Sequence, residues 1–348
     1  MNSPNMAFAL LVLGLLTWMA VPLLPALMEL LRPRDAAPLD AVGNDAGNLT
    51  YFAESFTARA TREGLLGTSV PPRLSDGTDV RTHSKGQPLP SQRAAFQEFV
   101  VLMDSEPLPA GVELSSECLA RLTVHGSPGV TYRALLGQRD ISLGPKSLVQ
   151  RWVHARGRLE VADDCQLWGR ATADRQIVLG MNVVFERIEA DIIRVTDVET
   201  TEPPILPTGA YERFVPKKAR ELGPAYWRVA DSVSIPAGNI LVGSLIATGN
   251  IVVNDGARIT GSIKAHGEVV VRNGAVIVGS ISARDRVTIE RGARVSGPVI
   301  SETAVVVEAA VVGGPGTRTT VTAPVIRLLP GATVYGAVMA AADGRTVS

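Results

Sequence analysis

The chain has 348 residues, with 34 basic and 34 acidic side chains, and 46% of its residues are hydrophobic although only 5% are aromatic. Net neutrality at an ordinary charged fraction of 20% excludes global disorder and a polybasic nucleic-acid binder. Two cysteines, Cys118 and Cys165, make no disulfide framework, and the 33 Gly and 23 Pro set among small aliphatic residues suit many short strands joined by tight turns.

No charged side chain precedes Glu29. As a helix, residues 7–28 would span about 33 Å at the usual rise per residue, enough to cross a bilayer. The leader MNSPNM lacks the Lys or Arg of a secretory signal, so residues 1–31 predict a retained membrane anchor with its transmembrane helix over 7–28. Arg32 and Arg34 follow directly, and the positive-inside rule places the C-terminal side in the cytoplasm, as a single-pass protein of the inner membrane. Residues 32–111 read as a juxtamembrane linker carrying two short amphipathic helices. Leu49, Phe52, Ala53 and Phe56 fall at i, i+3, i+4 and i+7, as do Phe96, Phe99, Val100 and Met103 behind an expected Ser91 cap.

The rest of the chain follows one ruler, fixed most clearly in its last third. Gly243, Gly261, Gly279 and Gly297 recur every 18 residues, three of them opening the words GSLIA, GSIKA and GSISA, and Gly256, Gly274 and Gly292 each precede Ala. Inside each 18 the apolar residues pair at i and i+2 every six, as in Ile251/Val253, Ala257/Ile259 and Ile263/Ala265. Three short strands with three corners per turn describe an all-β, triangular β-solenoid. With Ala155 as origin the same ruler fits residues 112–195, where Leu159, Val161, Cys165, Leu167, Ile177, Leu179, Val183 and Phe185 take inward positions, with slips of one residue near Gly137 and Ile188. Residues 196–228 are Pro-rich and aperiodic, an excursion or a linker; residues 229–340 form the second, regular block, and 341–348 remain as a tail.

The repeated Gly-Ser-Ile-x-Ala words, the Gly-Ala-x-Val corners and the closing segment VIRLLPGATVYGAV resemble the bactofilins, bacterial polymer-forming cytoskeletal proteins. The likeness covers about 110 residues. It implies a right-handed β-helix that assembles with itself without nucleotide at the inner face of the cytoplasmic membrane, as a platform for cell-envelope or shape-determining partners. No cofactor, metal or nucleic acid is expected with it.

Two surfaces could carry self-association. Between the inward pairs of one face, the outward column reads Val252, Val270, Thr288, Val306, a β-branched lateral stripe that needs a neighbouring protomer, a partner or an amphipathic segment as cover; the next face reads Arg258, Val276, Arg294. The final turn has only eight residues after Ala340 to cap it, so Leu328, Val334 and Val338 are expected to stack end to end on another solenoid. Rival readings are a non-polymerising binding module and a hexapeptide-repeat acyltransferase. The latter needs a histidine in a cleft. His83 falls in linker, His125 in a turn, His154 at an outward strand position and His266 at a corner, and no two have metal-ligand spacing. Asp163-Asp164 fits turn chemistry, and both cysteines are expected to face inward.

Overall fold

The computed structural model describes residues 50–90, 95–196, 211–217 and 219–348, with 11–15, 18 and 21 near the N-terminus. Residues 1–39 and 40–348 are separate compact units. In the first, residues 11–15 are helical. Most of the expected span over 7–28 lies outside the described residues, as do Arg32 and Arg34. Among the described residues no helix is long and apolar enough to cross a membrane.

The second unit is a β-solenoid of about 14 turns, built as two blocks. Its sequence logic is the alternation itself. In the second block Ile251, Val253, Ile259, Ile263, Ala265, Val269 and Val271 are all buried, while Val252, Lys264 and Val270 between them face outward. Each strand pairs in parallel with the strand one turn on: Ile251–Val253 with Val269–Val271, then Val287–Ile289, with Val252, Val270 and Thr288 in one column. Gly256, Gly274 and Gly292 take corners at positive φ (63°, 65° and 71°), open to glycine without strain.

The first block starts earlier than residue 112. Phe99–Leu102 is a strand, paired on one side with Val80–His83 and on the other with Glu113–Ala120. The helix expected over 96–103 is therefore absent. Its apolar positions are buried on both faces of a strand: Val100 and Leu102 point into the solenoid, and Phe99 and Val101 belong to a second cluster outside it. A strand covered on both faces reads as an unbroken apolar run, which mimics helical spacing over a few residues. The other expected helix does form, as α1 (Tyr51–Arg62), with Glu54 in its first turn, Arg59 and Arg62 in its last, and Gly64 at φ 72° just beyond its end. Ala53, Phe56 and Ala60 make its buried stripe.

The two blocks run towards each other. The last strand of the first block, Val184–Val195, pairs antiparallel with the last strand of the chain, Thr333–Thr346, setting Ile188 beside Val338 and Ile193 beside Val334. Each of the three faces crosses the junction, and one apolar core extends from Leu89 to Ala340. The residues 341–348 are thus not a free tail, since the strand runs on to Thr346, whose hydroxyl donates to Gly180 O and accepts from Val183 N, both at 2.8 Å. Gly344 permits the close approach, because a Cβ there would stand 2.5 Å from the carbonyl oxygen of Phe185. A loop at 313–318 interrupts the second block and sends Arg318 across the junction to Asp191 and to Glu189, the latter at 3.7 Å.

Candidate functional site

Leu328, Val334 and Val338, expected to stack on another molecule, are buried at 1% exposure or less: Val334 and Val338 pair with the first block of the same chain, and Leu328 lies one strand further in, between Val307 and Thr346. The C-terminal edge of one solenoid and that of the other satisfy each other's unpaired backbone, so this end is closed. The ends available to a partner are consequently the N-terminal ends of the two blocks.

These two ends differ. At the first block, Leu89 and Leu108 fold over the core, and His83 ties the covering loops together: its Nδ1 accepts from Leu89 N and its Nε2 meets Glu106 O, each at 3.0 Å. His83 is thus a buried cap residue on a strand rather than a linker residue. At the second block, Glu212–Arg213 pairs only with Asn239–Leu241, Arg220–Gly223 only with Tyr226–Val229, and Val233–Ile235 only with Ile251–Val253, among the described residues. Val215 and Leu222 stand there 49% and 46% exposed, next to half-buried Phe214 and Trp227. Sequence reading missed this end because its strands belong to the aperiodic stretch 196–228, where the 18-residue ruler has no purchase.

The lateral stripe is as spaced. Val252, Val270, Thr288 and Val306 stand in one column, half-buried, between Ser234 and Arg327. Neither aromatic segment covers it, because Phe96 lies in the solenoid core and Phe52 packs on Trp152 of the first block, ring centroids 4.8 Å apart.

A cleft lies under α1, a hollow of about 150 Å³ lined by Thr50, Glu54, Thr57, His154, Arg156 and Asp174. His154 does occupy an outward strand position, yet α1 buries it to 5% exposure. Its Nδ1 lies 2.8 Å from Thr172 Oγ1 and its Nε2 3.5 Å from Asp174 Oδ1. The order hydroxyl, imidazole, carboxylate is that of a nucleophilic triad. Thr172, however, is 1% exposed, so its hydroxyl meets the strand and not a substrate. Burial lowers the His154 pKa; Asp174 and Glu54 pull it up and Arg156 pushes it down, without reversing the direction. Undocking α1 would restore the ordinary value near 6.5, so the docked form binds fewer protons below that pH. Docking should therefore be at full strength above pH 6.5 and weaken as pH falls from there. The loss of helical signal on heating the full chain, followed between pH 7.5 and 5.5 beside His154→Asn, should move to lower temperature for the parent as pH falls and stay in place for the variant.

His125 and His266 are exposed, and no group of His, Cys, Asp and Glu that could hold a metal ion occurs among the described residues. Cys118 and Cys165 lie fully buried in the core, and burial pushes both thiols up, Cys165 to about 11. Asp163 and Asp164 serve their corner: Asp163 Oδ1 accepts from Met181 N at 2.7 Å, and Asp164 sits at φ 61° beside Asn182. Comparison with family models, curated proteins and solved structures found no match.

Proposed function

We propose that this chain is a non-catalytic, membrane-anchored scaffold of bactofilin type that assembles with itself without nucleotide and presents its faces to cell-envelope partners. The observation that supports this most is the N-terminal end of the second block, where among the described residues three strands are paired on one side only and Val215 and Leu222 are exposed beside them. Unpaired strand edges recruit other strands unless they are covered. The chain closes its own C-terminal edges in that way, by antiparallel docking of two solenoid ends. In this reading residues 7–28 span the inner membrane, Arg32 and Arg34 stay on the cytoplasmic side, and the solenoid faces the cytoplasm. The half-buried column Val252, Val270, Thr288, Val306 adds a lateral contact between rods.

Residues 40–348 hold both hydrophobic clusters and form a unit by themselves, so they suffice for the test. Negative-stain microscopy and sedimentation without nucleotide should show filaments or sheets. A stable monomer at all concentrations would overturn the proposal. Val270→Lys places a charge on the stripe and not in the core, so the melting temperature should hold while lateral association falls. Unchanged sedimentation of that variant would remove the stripe from the assembly.

A further inference from the structure

Four successive turns of the first block each set one arginine along the same corner: Arg133, Arg151, Arg170 and Arg187. Register brings them close without aligning them in one row. Arg170 pairs with Arg187 on one side and with Trp152 on the other, so Arg151 stands one residue back, facing Gly169 with its carbonyl oxygen 2.1 Å from where a Cβ of that glycine would stand, and Arg133 lies at the bulge before Ala134, the partner of Trp152. With strands about 4.8 Å apart the column covers about 14 Å. Among the described residues none of the four makes an ion pair. Of the carboxylates near this corner, Glu186 is held by the backbone, accepting from Gly169 N at 3.0 Å, and Glu117, opposite Ala134 one strand before, accepts from Ser116 Oγ.

Two aromatic residues frame the column. Trp168, 39% exposed, stands two residues from Arg170, and Arg170 lies over the ring of Phe52 at 5.8 Å, which brings in the neighbouring Tyr51, 66% exposed at the start of α1. An indole and a phenol with polar tips, beside unpaired guanidinium groups, match the composition of the lipid headgroup region. Arginine there finds phosphate oxygens it can bind in a bidentate way. In sequence, 22 residues lie between residue 28, the end of the long apolar run, and the start of α1, a tether short enough to keep the solenoid near the bilayer that run would enter.

We infer that the corner bearing Arg133, Arg151, Trp168, Arg170 and Arg187 lays the first block against an anionic lipid surface. This deepens the proposed function and rests on its membrane anchor, since it gives the anchored scaffold a fixed side towards the bilayer. A nucleic acid also offers phosphates, but four arginines on a chain of zero net charge are fewer than the contacts that sustain such binding at physiological salt.

The test uses residues 40–348, free of the apolar run, with vesicles of phosphatidylcholine alone or mixed with phosphatidylserine. Co-sedimentation with the mixed vesicles only, lost at high salt, is the expected result. A basic residue at such a surface is worth about fivefold in partitioning, so Arg151→Gln, Arg170→Gln and Arg187→Gln combined should lower it about 100-fold. Because Arg170 also packs on Phe52, the double variant of exposed Arg151 and Arg187 is run in parallel, with an expected fall of about 25-fold. Tryptophan emission should shift to the blue on binding, and Trp168→Phe should abolish the shift. Equal binding to both vesicle types, unchanged binding of the double variant, or binding of oligonucleotides in place of vesicles would overturn the inference. Sedimentation without lipid reads self-assembly separately: filaments without vesicle binding defeat this inference alone, and vesicle binding by a monomer defeats the scaffold reading alone.

Discussion

Ile188→Asp is expected to part the two solenoid blocks. Ile188 is fully buried, and its Cα partner across the junction, Val338, is buried to the same degree. The change removes a large aliphatic side chain from the core and leaves a carboxylate there with no cation. Together these should cost about 4 kcal/mol or more. The loss falls on the junction by which, among the described residues, the blocks pair with each other, so thermal unfolding should change from a single transition to two. In hydrogen exchange, Val184–Val195 and Thr333–Thr346 should lose protection while Val269–Val271, several turns away, keeps it. Two newly opened sheet edges should also make the variant aggregate. A single transition at the parent temperature, with both strands still protected, would show that the blocks are not joined in this way. Arg318, which reaches Asp191 and Glu189 from the surface, contributes little by comparison, because its partners are solvated.

What the sequence made legible was whatever repeats. The inward ladder from Ile141 to Phe185 is buried as the ruler from Ala155 places it, because two inward residues per six-residue unit leave a periodic mark even when the side chains grow larger. The slips of that ruler are also real, one between Tyr132 and Ala134 and one between Phe185 and Arg187. The antiparallel junction left no mark. Val184–Val195 and Thr333–Thr346 are each ordinary alternating strands, and no spacing rule links residues so far apart in the chain. Phe96 and Phe99 misled for a local reason, burial on two faces. The arginine cluster hid behind the slips, since its members are 18, 19 and 17 residues apart: a bulge absorbs the 17 between Arg170 and Arg187, while Arg151 stays one residue off, opposite Gly169. His154 was placed on the correct face, but nothing in its neighbourhood of sequence says that a helix 100 residues upstream lies on top of it.

That helix is held through an aromatic cluster with Phe56 at its centre, so Phe56→Ala should release it. Phe56 stacks on Phe99 at 5.8 Å and meets Trp152 edge-on at 5.2 Å, while Phe52 reaches the same indole from the other side. Beneath them Val101, Leu119 and Leu136 are outward-facing residues of the solenoid, dry only because α1 covers them. Loss of the phenyl ring should cost about 3–4 kcal/mol at this contact, more than a 12-residue helix can supply from its own propensity. The solenoid does not depend on α1, since its inward ladder is a separate cluster. The expected result is a solenoid that melts near the parent temperature but has lost helical signal, has gained binding of a hydrophobic dye, and has its Trp152 open to quenchers. Its pH dependence between 7.5 and 5.5 should flatten as well, because His154 would be solvated in the variant at either pH. A variant that keeps the helix docked would show that Phe56 is not what holds it, and one in which the whole solenoid unfolds with the helix would show that the two clusters are one cooperative unit and remove the basis for treating α1 as a separable cover.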